Sequence, residues 1–200
     1  TSIIKLNGYT INKFLKEIFN NYKELSFKIS NVNMLYYKNT YQKYEVLLSI
    51  RFNDYNWTMK INVESGLNLK GKDETFHLPK LKKRIILKYL TKEEKLAKMF
   101  FQIIENILAS IDILDKFYTL YYSKIDDELF LSILENIYSS TKEKLNINEQ
   151  IKKINNLKEN KIFRSKWHRY TLKKTDIKFN LNDIQFCLKN ILAKFKERVV

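Results

Sequence analysis

The sequence predicts an α+β fold, in which a small mixed or antiparallel sheet with one helix is followed by a helical C-terminal module. Three observations carry that expectation. Apolar and polar residues alternate along Tyr44, Val46, Leu48, Ile50 and Phe52, and again along Trp57, Met59, Ile61 and Val63, the period of a half-buried strand. Before them, Ile11, Phe14, Leu15, Ile18, Phe19 and Tyr22 fall at helical spacing. From Thr91 onward the helical period takes over and persists. The expected organisation is a sheet module over residues 1–89 and a helical module over 90–200.

In chain order, residues 10–23 read as an amphipathic helix. Phe27, Ile29, Met34 and Tyr36 then give a strand-like texture to about Lys38. Asn53-Asp54-Tyr55-Asn56 has turn chemistry, so the two alternating runs on either side form a hairpin. Residues 66–89 hold Gly66, Gly71, Pro79 and the cations Lys80, Lys82, Lys83 and Arg84, and they read as a connection. Thr91 with Glu94 is a capping-box start, and Leu96, Phe100, Ile103 and Ile107 mark the buried stripe behind it. Further helices fit 111–123, 127–145 and 149–170. The last begins near Asn182, with Gln185 at the reciprocal capping position, and buries Ile184, Cys187, Leu188, Ile191, Leu192 and Phe195.

Composition narrows the function classes. A hydrophobic fraction of 44% supports a packed core. Cys187 is the one cysteine, which excludes an internal disulfide and a cysteine zinc site and fits a reducing compartment. No apolar run has the length to span a bilayer and no charged-then-apolar leader opens the chain, so the expected location is cytoplasmic, without a membrane. The chain starts at Thr1 rather than Met and already reads as a strand, so the expectation is that it was trimmed or that an upstream segment is missing from it.

The net charge of +15 has two readings. One is attraction to a polyanion. The other is compositional bias, since Lys, Asn, Ile and Tyr are all abundant. No glycine-rich phosphate loop or Ser/His/Asp arrangement occurs, and His77 and His168 lack ligand-type neighbours at metal spacing. Cys187 lies on an apolar stripe and reads as core. Two basic stretches remain, Lys80–Lys98 and Lys152–Lys174. In the second, Phe163, Trp167 and Tyr170 interleave with Arg164, Lys166 and Arg169. Such mixtures grip single-stranded RNA by stacking and phosphate contact, although the three aromatics also form an ordinary packing stripe. Lys82, Lys83, Arg84, Arg164, Lys166 and Arg169 are the candidate phosphate contacts.

Taken in order, several segments resemble the AbiEii/AbiGii family of abortive-infection nucleotidyltransferase toxins. Thr1-Ser2-Ile3-Ile4-Lys5-Leu6 sits where the family has a strand of the form Thr-x-Asp-x-Asp-Leu, and Ile61-Asn62-Val63 where a later strand carries a third acid. Residues 90–99 resemble the helix bearing Ala-Glu-Lys, residues 116–121 (Lys-Phe-Tyr-Thr-Leu-Tyr) an Asp-Phe-Tyr-Asp helix, and Trp167 with Asp176-Ile177-Lys178-Phe179 the helical tail.

The resemblance implies a nucleotidyltransferase-like sheet, with Mg²⁺ and a nucleoside triphosphate as cofactors if the chain is active. Transfer needs carboxylates to hold the metal against the triphosphate. Ile3, Lys5 and Asn62 stand at those positions, Met99 replaces the family lysine, and Lys116 and Thr119 replace the later acids. Glu64 is the only candidate acid. The expectation is a catalytically degenerate toxin-family protein that needs no cofactor and binds RNA (tRNA-like) or an acidic partner protein. The alternatives are an active enzyme, with acids supplied upstream, by another subunit or by a Glu64-centred site, and a basic interaction or assembly module unrelated to this family.

Overall fold

Alternation is visible directly in the burial of the central strand. β1 (Leu25–Lys38), β2 (Tyr41–Phe52) and β3 (Tyr55–Ser65) form an antiparallel meander in the order β1-β2-β3. The computed structural model describes residues 7–19, 25–38, 41–78, 83–108, 111–141, 145–174 and 179–199. Val46, Leu48 and Ile50 of β2 are buried against Ile11 and Leu15 of α1 (Gly8–Phe19), with Phe27, Ile29, Val32, Ile61 and Val63 around them. Ile11 and Leu15 are four residues apart, so they project from one face of the helix onto the sheet. Asn7 caps α1: Thr10 N donates to Asn7 Oδ1 at 2.8 Å, and Asn7 N donates to Thr10 Oγ1 at 2.8 Å. The helix therefore starts earlier than residue 10. Residues 20–23 of the expected helix lie outside the described residues.

The irregular pattern of β1 has a cause in its pairing. Ile29 faces Leu48 and Val32 faces Val46, with a register shift between Ile29 and Asn31. An extra residue there moves the inward positions from odd to even numbers, since successive strand side chains alternate faces. A second shift follows between Met34 and Tyr36. The β2–β3 hairpin is tighter than the four-residue link expected: Phe52 pairs with Tyr55, and Asn53 takes a φ of 51° in the intervening turn, a conformation Asn tolerates.

Residues 72–89 correct the expected connection. β4 (Lys72–Leu78) and β5 (Lys83–Tyr89) form a second, two-stranded antiparallel sheet, from Lys72 opposite Tyr89 to Leu78 opposite Lys83. The glycines, the proline and the cations masked an Ile85-Ile86-Leu87 run of strand formers. Gly71, at φ +65°, leads into this hairpin, and a Cβ there would come within 3.0 Å of the Tyr89 carbonyl oxygen. Pro79 lies outside the described residues.

The helices are α2 (Lys92–Glu105), α3 (Ile111–Tyr121), α4 (Asp127–Thr141), α5 (Ile147–Asn155), α6 (Lys161–Lys173) and α7 (Leu181–Val199). The chain divides into two compact units: residues 1–68 with 139–143, and residues 69–138 with 144–200. In the second unit Phe100 packs against Phe117 and Phe130, with ring centroids 5.9 and 6.3 Å apart. Ile184, Cys187, Leu188, Ile191, Leu192 and Phe195 of α7 are all buried, as their spacing predicts. Arg198 reaches Glu128 at 2.6 Å and Glu135 at 3.4 Å, and Lys194 pairs with Asp127, which ties α7 to α4. Among the described residues no helix is long and apolar enough to cross a membrane.

Two capping features depart from the sequence reading. The stretch 149–170 is not one helix, because α5 stops at Asn155 and a 3-10 turn over Asn156–Lys158 follows. α6 then restarts with Asn160 as N-cap, its side chain accepting from Phe163 N at 2.9 Å. Gln185 does not cap α7. Asn180 does, accepting from Asn182 N at 2.7 Å and Asp183 N at 3.2 Å, while Asp183 Oδ2 accepts from Asn180 N at 2.7 Å. The Gln185 amide is buried and donates to the carbonyls of Ile154 and Asn155, at 2.6 and 3.3 Å.

The capping box at the start of α2 forms as expected, and its acid does more than cap. Thr91 Oγ1 accepts from Glu94 N at 3.2 Å, and Glu94 Oε2 accepts from Thr91 N at 2.9 Å. Glu94 Oε1 also accepts from Lys70 N and Gly71 N, each at 2.8 Å. Burial pushes this carboxyl upward, but the backbone N–H groups of Gly71, Thr91 and Lys70 outweigh it and leave it below the usual value. A depressed folded-state pKa gives stability that is present above the ordinary glutamate range and lost as pH falls through the folded value. Glu94→Gln is therefore expected to cost about 1–3 kcal/mol in urea unfolding at neutral pH, with the difference shrinking in acid below pH ~4.

Candidate nucleic-acid interface

The break between α5 and α6 determines which cations face outward together. Leu157 in the turn and Phe163 in α6 are buried and act as anchors on either side of Asn160. From that anchorage, Lys161, Arg164, Ser165 and His168 recur at intervals of three and four and share one exposed face of α6. They line a surface groove of about 740 Å³ with Lys158, Trp167 and Leu181. Between Lys158 and Lys174 the sole acid is Glu159. The groove is therefore an open, cationic depression with an indole in its wall.

Trp167 is half-buried, with its ring centroid 6.4 Å from Phe163 at an interplanar angle of 4°, and 6.1 Å from Tyr170. Packing and groove lining coexist in this one side chain. The far end of α6 is secured by Lys174, whose ammonium lies 2.5 Å from Asp115 Oδ2 and 5.3 Å from the Tyr170 ring centroid. Burial pushes the Asp115 carboxyl upward, but hydrogen bonds from Lys174, Tyr170 and the Lys116 backbone together outweigh it and hold the acid below its usual range.

Of the six expected phosphate contacts, Arg164 stands in the groove. Lys166 and Arg169 are exposed on the flank of α6: Lys166 Nζ donates to the Leu108 carbonyl at 3.2 Å, and Arg169 Nε to the Ser165 carbonyl at 3.4 Å. Lys83 and Arg84 open β5, opposite Leu78 and His77, and Lys82 lies outside the described residues. Sequence reasoning missed Lys158, Lys161 and His168 as groove residues. Their spacing relative to Arg164 was available, but the single helix expected over 149–170 hid the turn that places Lys158.

Glu64 lies on β3 opposite Lys43, with Lys43 Nζ 3.8 Å from Oε1 and the Tyr41 hydroxyl donating to Oε2 at 3.3 Å. Asn62 pairs with Glu45, a second acid on the same sheet face, and Glu45 in turn lies 3.1 Å from Lys60 Nζ. Each carboxylate already faces an ammonium that a divalent ion would have to displace. Ile3 and Lys5 lie outside the described residues. Among the described residues no group of three or more His, Cys, Asp and Glu side chains converges as a metal site.

A smaller groove of about 340 Å³ lies at the hairpin end of the first sheet, lined by Lys28, Arg51, Trp57 and neighbours. Arg51 Nε there donates to the Asn53 carbonyl at 3.2 Å. It has half the volume and fewer cations than the α6 groove. No protein-family model, curated protein or solved structure matches this chain.

Cys187 is buried, and burial pushes its thiol up to about 12. A thiolate nucleophile is therefore absent near neutral pH. A thiol-specific reagent such as DTNB is expected to leave Cys187 unmodified in the native protein and to react with it fully once denaturant is added.

Proposed function

We propose that this chain binds RNA through the α6 groove, as a catalytically degenerate relative of the abortive-infection nucleotidyltransferase toxins. The observation that carries the binding reading is the convergence of Lys158, Lys161, Arg164 and His168 on one groove that has an aromatic wall and no acid in its lining. Cations so placed neutralise successive phosphates and release their counterions, which makes affinity depend on salt. The non-catalytic part of the reading is supported by Glu64, which faces Lys43 and the Tyr41 hydroxyl, and by Glu45, which faces Lys60. The tRNA-like character of the ligand comes from the family resemblance and is part of the proposal.

Three full cations in the groove predict a slope of about −2 for log affinity against log salt with single-stranded RNA. Replacing Lys161 and Arg164 by Ala should reduce the slope by about 0.7 for each lost contact, and Arg51→Ala should leave it unchanged. Both groove residues are exposed, so the fold should tolerate the changes within about 0.5 kcal/mol. Fluorescence anisotropy across a salt series reads this out. A flat dependence in the parent protein removes phosphate contact as the basis of binding.

A further inference from the structure

Trp167, which lines the groove, also begins a row of aromatic rings. Its ring centroid lies 6.4 Å from that of Phe179, which stacks on Tyr118 at 4.4 Å, and Tyr118 in turn lies 4.7 Å from Tyr122. These rings come from α6, from the segment before α7 and from the end of α3, so distant parts of the sequence assemble one strip. Trp167, Phe179 and Tyr118 are half-buried, and Tyr122 is 56% exposed. Tyr121 meets Tyr122 edge-on at 89° and Tyr118 meets it tilted at 48°. No described ring therefore lies stacked on Tyr122. Tyr122 is the most exposed ring of this row, and the indole of Trp167 joins the row to the cationic groove.

We infer that the ligand is single-stranded polynucleotide, with its phosphates in the α6 groove and its unpaired bases on the aromatic strip ending at Tyr122. The inference rests on the reading of the groove as a phosphate site and adds the strandedness of the ligand. A duplex presents phosphates to the groove but keeps its base faces stacked inside, so it has nothing to offer the strip. An unpaired base exposes a π-face that the outward ring of Tyr122 accepts regardless of sequence.

The experiment compares binding of a short oligouridylate, the matching single-stranded DNA and a duplex RNA with equal phosphate number, at one salt concentration. It uses Trp57→Phe protein, so that Trp167 alone reports by fluorescence. Single strands should quench Trp167 and bind on the order of ten-fold tighter than duplex, with Tyr122→Ala abolishing most of the advantage and Tyr122→Phe retaining it. RNA and DNA strands binding alike would place recognition on bases and phosphates, and RNA alone binding would add the 2′-hydroxyl; both support the inference. Duplex binding as tightly as single strands, or Tyr122→Ala binding single strands like the parent while Lys161→Ala/Arg164→Ala still weakens them, overturns the strandedness and leaves the phosphate groove standing. Failure of every polynucleotide to bind overturns both.

Discussion

One buried amide settles how the basic helix is presented. Where α5 ends, the Asn156 N–H donates to the carbonyls of Lys152 and Ile154, and Gln185 of α7 adds a side-chain donor to the carbonyls of Ile154 and Asn155. An unpaired buried carbonyl is costly, and here the backbone cap at Asn156 and the Gln185 amide together satisfy the end of α5. The stop permits the 3-10 turn, the turn seats Leu157 in the core, and Asn160 then caps a new helix whose inner face is fixed by Phe163. Lys158, Lys161, Arg164 and His168 face outward because the opposite side of α6 is committed. The position of the proposed interface therefore follows from backbone hydrogen-bond satisfaction and not from attraction among the cations, which repel one another.

The high positive charge means different things in different places. In the first sheet, Lys43 and Lys60 face Glu64 and Glu45, so local charge is balanced across strands. Between α4 and α7, Arg198 and Lys194 are likewise matched with Glu128, Glu135 and Asp127. Exposed pairs of this kind contribute little to stability individually, but each removes a cation from the pool available to a polyanion. Cations gather without carboxylates in the lining of the α6 groove, in larger number than in the sheet groove of Lys28 and Arg51. Compositional bias accounts for abundant lysine; it does not account for that segregation.

Much of the fold was legible because it is locally encoded. The β2 alternation, the Thr91–Glu94 box and the apolar stripe of α7 are statements about neighbours within a few residues, and each formed as read, whereas in β3 Ile61 and Val63 pack on the core but Trp57 and Met59 are exposed. What escaped depended on partners far along the chain. Glu94 was legible as a cap, but not as the acceptor for Lys70 and Gly71, which lie more than twenty residues earlier. Gln185 looked like a cap by spacing, and its actual role needed the end of α5 in place. The β4–β5 hairpin was hidden because glycine, proline and charge outweighed a short run of β-branched residues. The site was half legible for the same reason. Arg164 and Trp167 stood out by composition, whereas Lys158 and the ring row through Phe179, Tyr118 and Tyr122 required tertiary structure.

The account stands on the claim that polynucleotide sits on α6 and not on the sheet. Hydrogen–deuterium exchange with and without a saturating oligouridylate tests this directly. Added protection should concentrate in residues 158–168 and around Tyr122, with β2 and β3 unchanged. Protection confined to β1–β3, with residues 158–168 exchanging as in the free protein, would contradict it.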